Sequence, residues 1–360
     1  MTDAEFMQRA IILARLGEGC TSPNPMVGCV IARRGRVVAE GWHKVCGGDH
    51  AEVEALKKAG AQAKGATMYV TLEPCAHWGR TPPCVDAVLA AGIKRVVIAM
   101  QDPDPRTRGK SIRKLQAHGV EVIVGVGGAE AAALNQAFIK YIRCGMPYVV
   151  AKVAQTMDGK AGTRSGRIRW ITADTTRALA RRRRRSFDAI IVGVNTVLAD
   201  DPGLDAPGRK IVKVIADSRL RTPLDAACFN GTRPGQVILA VTRKALPEKV
   251  AAFEAKGARV MRCPSRNGKV DLKALFKGLA KNGFIRILVE GGPTLVEAAL
   301  QAGSVDRMHI YIAPRVLKAK DAVVGVDVVR YLNASRLKVA VVERTGKDIF
   351  IEADYVHRDH

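Results

Sequence analysis

The chain has 360 residues, of which 48% are hydrophobic, with a mean hydropathy of zero and a net charge of +24. It is long for one core and apolar enough for two, so two domains are expected, and it contains no run of eighteen apolar residues that could cross a membrane as a helix. Residues 1–145 carry 19 Lys and Arg against 13 Asp and Glu, and the remainder 39 against 21; such a field attracts polyanions, phosphorylated metabolites and phosphate-rich cofactors alike, so charge alone selects none of them.

In chain order, "MTDAEFMQRAIILARLGEGC" reads as an amphipathic helix. With Asp3 and Glu5 and no basic leader or small-residue cleavage site, it is not expected to be a signal or transit peptide. That places the chain in the cytoplasm and turns its eight cysteines towards metal binding or burial and away from disulfides. "MVGCVIARRGRVVAEGW" predicts a hairpin, and "DHAEVEALKKAG" a short helix with Asp49 as N-cap and Gly60 past its end. "ATMYVTL" is then a strand, "PPCVDAVLAAG" a helix, "RVVIAM" a strand, "GKSIRKLQAHG" a helix and "VEVIVG" a strand. This alternation predicts a mostly parallel sheet with both faces covered. The pattern restarts near Met146, giving domains at 1–145 and 146–360. The second domain is again α/β, from the strand "YVVAKVA" through the helix "TADTTRALARRRRRS", four apolar strands, the helix "DLKALFKGLAKNG" and the strand–helix pair "RILVEGGPTLVEAALQAG" to "RMHIYIAPRVL".

The first domain carries a metal-ligand set. His50 and Glu52 open a helix two residues apart and would point to different sides, so a ligand beside a catalytic carboxylate fits better than two equivalent ligands. Cys75 follows a strand, and Cys84 enters a helix after Pro82 and Pro83, where the helix dipole favours a thiolate. One His and two Cys suit a catalytic Zn2+ with its fourth position open to water, whose pKa falls towards about 7. An H-x-E with a P-C…C pair is the zinc-deaminase pattern, with the Glu as general acid/base and not a ligand. A closed structural site, with Cys46 or His77 as fourth ligand, is the bland alternative. The other cysteines read as ordinary core or surface thiols.

Eight residues separate the two cysteines where base deaminases usually place two. That insertion, "EPCAHWGRTPPC", together with "SPNPMVGCVI", resembles the pyrimidine deaminases of riboflavin biosynthesis, and the whole chain is similar to the bifunctional deaminase/reductase family of that pathway. The resemblance implies a cytidine-deaminase-like α/β/α sandwich followed by a dihydrofolate-reductase-like α/β domain. It also implies Zn2+ and NADPH as cofactors, a phosphorylated pyrimidine as substrate, and a homo-oligomer.

By its residues alone the second domain has no metal set, no Ser-His-Asp pattern and no G-x-G-x-x-G, so a Rossmann site is not supported. "ILVEGGPTLVEAAL" could bring backbone amides to a phosphate at Gly291–Gly292, although strand–Gly–helix corners are also common turns. The resemblance implies that Gly292, Pro293, Thr294 and Leu295 line NADPH, with Ala154, Trp170, Thr196, Asp200 and Ser218 adding contacts. It further implies that Asn24 in the first domain, and Lys152, Arg184, Leu204, Arg209 and Glu290 in the second, face substrate; an arginine fork suits a sugar phosphate. Of the five arginines 181–185, at most two can share a helix face, so the rest are expected in solvent. "SGRIRWIT" and "DDPGLDAPGR" depart from the family, placing Ile168 where relatives have a hydroxyl and moving the expected arginine from 207 to 209.

Two rivals remain at this level. A nucleic-acid deaminase would need stacking aromatics and basic residues on the deaminase half, yet aromatics are 5% of the chain and the excess charge lies on the other half. An RNA-binding protein on a dead deaminase would be expected to have lost ligands, whereas His50, Glu52, Cys75 and Cys84 are intact.

Overall fold

The computed structural model describes residues 1–78, 82–168, 170–333 and 336–356. Gly79, Arg80 and Thr81 of the cysteine insertion, and Arg169 of "SGRIRWIT", lie outside them. The chain divides into two compact units, Met1–Gly145 and Met146–His360.

In the first unit, α1 (Asp3–Arg15) begins with a capping box between Thr2 and Glu5. Strands β1 (Gly28–Arg33) and β2 (Arg36–Trp42) form the expected hairpin; α2 (Ala51–Ala59), β3 (Thr67–Val70), α3 (Cys84–Ala90), β4 (Arg95–Ile98), α4 (Lys110–Ala117) and β5 (Glu121–Val124) follow. The sheet runs β2-β1-β3-β4-β5. It is parallel only from β3 to β5, because β1 is antiparallel to both its neighbours. The hairpin causes this: β2 and β3 run the same way, and α2 returns the chain over β1 between them. Residues on β1 alternate between faces. Val30 and Ala32 join Phe6, Met7, Ala10 and Ile11 of α1 in one core cluster, while Cys29, opposite Gly41, faces the α2 side. Two helices that the sequence reading omitted, α5 (Gly128–Leu134) and α6 (Gln136–Cys144), close the unit. Asp49 does not cap α2; the N-cap is His50, and Asp49 pairs with Lys57 instead.

The second unit holds β6 (Tyr148–Thr156), β7 (Lys160–Thr163), α7 (Asp174–Arg183), β8 (Ala189–Gly193), α8 (Val194–Asp200), β9 (Val212–Ala216), β10 (Val237–Val241), α9 (Pro247–Ala255) and β11 (Arg259–Arg262). The small hairpin β12 (Ser265–Arg266) and β13 (Lys269–Val270), α10 (Leu272–Lys281), β14 (Arg286–Val289), α11 (Pro293–Gln301), β15 (Arg307–Ala313), β16 (Ala322–Val324), α12 (Val328–Asn333), β17 (Leu337–Thr345) and β18 (Asp348–Tyr355) complete it. Among the described residues the main sheet runs β11-β10-β9-β8-β14-β6-β15-β18-β17, parallel up to β15 and finished by the antiparallel β17–β18 hairpin. The runs of β8 and β10 are fully apolar, as strands covered on both faces require.

Candidate active sites

The β2–α2–β3 crossover decides where the first site forms. His50 lies between β2 and α2, Cys75 between β3 and α3, and Cys84 is the first residue of α3, so all three gather beyond the carboxyl ends of two strands running the same way. His50 makes no capping hydrogen bond, which leaves its ring free. Its Nδ1 is 3.0 Å from Cys84 Sγ and 3.6 Å from Cys75 Sγ, and the amide of Cys84 donates to Cys75 Sγ at 3.1 Å. The three donor atoms lie within 4.8 Å of one another, the one such group among the described residues. Two thiols and an imidazole at that separation match a tetrahedral zinc site with one position left over. Cys46 is not in the group, and His77 Nδ1 is engaged by Thr107 Oγ1 at 3.0 Å.

Glu52 sits in the first turn of α2 and is 3% exposed. Burial pushes its carboxyl up to about 7, the range in which a side chain can both take and give a proton at neutral pH. Cys75 is held well below the usual thiol range, to about 4, by hydrogen bonds from Cys84 and His50, whereas its partner Cys84 is pushed up. The sequence reading missed His43, which is buried beside the set with its ring 5.4 Å from that of His50, edge to face. His43 Nδ1 bonds the carbonyl of Asp49 at 2.9 Å, which fixes the proton there, so Nε2 accepts from the Asn24 amide at 3.1 Å. Burial lowers the pKa of His43 and keeps it neutral. Asn24 is thereby brought next to the metal-ligand set. The only sequence signal was a lone His after an apolar strand.

Two clefts that share Thr196 and Gly292 open at the carboxyl ends of the second unit's parallel strands. The smaller, about 510 Å³, is lined by Ala154, Trp170, Asp200, Pro293, Lys152, Arg184, Leu204 and Glu290, besides Thr196 and Gly292. Ser218, Thr294 and Leu295 line the larger, about 1000 Å³. A Cβ on Gly292 would meet nothing within 4 Å, so this corner presents bare backbone to open space, and its amide donates to Thr196 Oγ1 at 3.3 Å. A strand–Gly–helix turn of that kind, beside a cavity large enough for a dinucleotide, fits a phosphate-bearing cofactor.

Arg209 does not line either cleft. Its guanidinium donates to the carbonyls of Arg185 and Phe187 at 2.6 and 2.7 Å and pairs with Asp188, tying down the chain after α7. Ile168 is not a vacancy where a hydroxyl belongs, because it packs on a small apolar cluster of Ile171, Ala313 and Leu317. More of the arginine run is engaged than expected, both within α7 and in the 3-10 turn at Arg184–Ser186 that follows it. Arg181 lines the smaller cleft, Arg183 stacks on Phe350 at 3.6 Å and donates to the Tyr311 hydroxyl, and Arg184 binds Glu290.

Residues 147–351 match the family model of the RibD C-terminal domain, and residues 1–100 that of the cytidine and deoxycytidylate deaminase zinc-binding region. The riboflavin biosynthesis protein RibD of Actinobacillus pleuropneumoniae is 42% identical over 362 residues, covering 99% of this chain and 96% of its own. That of Escherichia coli is 39% identical over 371 residues, covering 97% and 98%. Among solved structures, Acinetobacter baumannii RibD superposes with a TM-score of 0.88 at 37% identity over 99% of both chains. A diaminohydroxyphosphoribosylaminopyrimidine deaminase/5-amino-6-(5-phosphoribosylamino)uracil reductase from Thermotoga maritima does so with a TM-score of 0.84 at 32% identity, over 98% of this chain and 99% of its own.

Proposed function

The chain belongs to the RibD family of riboflavin biosynthesis proteins, and from that premise we propose how its own residues divide the work. It is a bifunctional enzyme acting on small molecules, a zinc-dependent deaminase joined to an NADPH-dependent reductase. We assign the deaminase to residues 1–145 and the reductase to 146–360.

In the deaminase, His50, Cys75 and Cys84 would hold the zinc, which when bound supplies the Lewis acidity that makes water a nucleophile at neutral pH. The substrate is a phosphoribosyl diaminopyrimidinone. A C–O bond forms at the ring carbon bearing the 2-amino group, the C–N bond breaks, and water is consumed as ammonia leaves. Glu52 takes the proton from the attacking water and passes it to the departing amine. Asn24, oriented by His43, holds the pyrimidine. One observation carries this assignment: three ligand atoms within 4.8 Å of one another, with a buried carboxyl two residues from His50.

In the reductase, bound NADPH would supply the hydride that, with a proton from solvent, reduces C1 of the ribosyl group to give the ribityl chain. Gly292, Pro293, Thr294 and Leu295, with Ala154, Trp170, Thr196, Asp200 and Ser218, would seat the cofactor. Lys152, Arg184, Leu204 and Glu290 would face the substrate, while Arg209 acts behind them by fixing the end of α7. A cytoplasmic location suits a zinc site built on two thiols. Homo-oligomerisation is supported by β17, whose Val339, Val341 and Val342 are exposed on the last strand of the sheet. Binding to RNA should be weak, salt-sensitive and not sequence-selective.

The full chain should be incubated with the diaminopyrimidine phosphate, with and without NADPH, while both products are followed. Deamination alone is expected without NADPH, and the ribityl product only with it. Deamination with no oxidation of NADPH on the authentic intermediate would limit the assignment to the first half.

A further inference from the structure

Lys213 is a charge buried in the reductase unit that none of these roles uses. It stands on β9 between its register partners, Ile190 of β8 and Val237 of β10, and all three are at most 1% exposed. Residues in register share a face of the sheet, so the lysine stem runs among apolar side chains. The next residue, Val214, points the other way into the main core cluster. A lysine is almost never fully buried unless its ammonium is paired, because the lost hydration is otherwise unrecovered. The partner here is Asp205, whose Oδ1 is 2.9 Å from Nζ, and the ammonium has no second hydrogen-bond or ion-pair partner among the described residues.

Asp205 belongs to the Pro202–Asp205 stretch that lines the smaller cleft. That stretch is bent against its own preference. Leu204 is held at φ 56°, in the left-handed region, which a leucine enters only when its surroundings impose it. The Asp205 carboxylate folds back so closely that a Cβ at Gly203 would sit 2.8 Å from its Oδ2. The backbone carbonyl of Asp205 accepts from Arg184 Nη1 at 2.8 Å. Arg184 therefore has two anchors, Glu290 and this carbonyl, and the second is only as firm as the segment that carries it.

We propose that Lys213 is a positioning residue of the reductase: by holding the carboxylate of Asp205 it fixes the Pro202–Asp205 segment and, through the Asp205 carbonyl, the guanidinium of Arg184. It touches no substrate itself. Moving the segment away would strand an ammonium in apolar surroundings, so the buried pair holds the segment against the cleft. The proposal rests on the assignment of Arg184 to substrate.

The test is steady-state reduction of the deaminated intermediate by the full chain, comparing wild type with Lys213→Met, Asp205→Asn, Arg184→Ala and the Lys213→Met/Arg184→Ala double variant. Methionine follows the shape of the lysine stem and leaves no charge behind, so the hold on Asp205 is lost with little change in packing. Lys213→Met and Asp205→Asn should each raise KM by roughly threefold to thirtyfold, less than Arg184→Ala does, because Glu290 still holds the guanidinium. Their kcat should stay within about twofold of wild type, since a group that only orients substrate binding leaves the chemical step alone. On the Arg184→Ala background, Lys213→Met should add less than about twofold to KM, because it acts through Arg184. Should Lys213→Met fail to fold, Asp205→Asn decides alone, its side chain being exposed. A fall in kcat at unchanged KM marks a structural role and overturns the proposal, as does a KM effect that adds in full to that of Arg184→Ala. If Arg184→Ala itself leaves KM unchanged, the reading of Arg184 fails, and the proposal with it.

Discussion

Arg184 donates through Nε and Nη2 to the two carboxylate oxygens of Glu290, at 2.9 and 3.0 Å, on the wall of the smaller reductase cleft. Lys152 Nζ is 3.7 Å from the same carboxylate, and Arg184 Nη1 holds the carbonyl of Asp205 at 2.8 Å. Burial favours the neutral acid at Glu290, but the two cations outweigh it and keep the carboxyl below its usual range. Arg184 is thus a fixed charge and not a loose hook, oriented before any substrate arrives.

Arg184→Ala should therefore raise the reductase KM for the deaminated intermediate by roughly tenfold to over a hundredfold, and leave deamination intact. Arg184→Lys should recover only part, because an ammonium cannot span both oxygens of Glu290 and Asp205 at once. An unchanged KM would move the phosphate to another part of the cleft.

Glu52→Gln should abolish deamination while the protein keeps its zinc, because the change removes a proton carrier and not a ligand. Cys75→Ser or Cys84→Ser should lose metal and deamination together. Metal analysis of the purified variants separates the two classes. Glu52→Gln with near-normal deamination would remove Glu52 from its role.

Gly41→Ala should damage the deaminase from outside the ligand set. A Cβ at Gly41 would sit 2.4 Å from the carbonyl oxygen of Ala51 and 2.6 Å from the amide of Ala55, both backbone atoms of α2. The helix must move to accommodate it, carrying His50 and Glu52 away from the cysteines, at a cost of about 1–3 kcal/mol. Lower zinc affinity, slower deamination and an unaltered NADPH titration are expected. Retention of full zinc affinity would show that α2 can shift without disturbing the site.

Asp3 makes the deaminase unit acid-sensitive. Arg95 binds both its oxygens, at 2.9 and 2.7 Å, and the Tyr69 hydroxyl donates at 2.8 Å, joining α1 to β3 and β4. The Arg95 hydrogen bonds pull Asp3 down to about 2 against the opposing effect of burial. A carboxyl depressed in the fold contributes stability that is complete above its unfolded value, near 3.9, and is lost as pH falls towards about 2. In thermal melts, Asp3→Asn should be less stable than wild type at pH 7, and the gap should close on acidification through that window. A gap independent of pH would show that the pair contributes nothing as an ion pair.

The chemistry of the deaminase was readable in the sequence because it rests on residue types at short spacings. His50, Glu52, Cys75 and Cys84 can serve as ligands and proton carrier in few combinations, and the strands and helices around them follow local periodicity. The restart near Met146 was legible for the same reason, as was the apolar β14 run ahead of Gly291–Gly292. Long-range pairing was not. The antiparallel placement of β1, the partnership of Asn24 with His43, the turning of Arg209 away from the cleft and the packing of Ile168 on Leu317 all join segments whose contact no local pattern encodes. Arg184, at the end of α7 ahead of β8, and Glu290, just after β14, are 106 positions apart, and only the tertiary packing of the unit brings them together. Sequence sets which side chains can do the chemistry; the order of strands in the sheet decides which of them meet, since a carboxyl-end loop can touch only those that flank it.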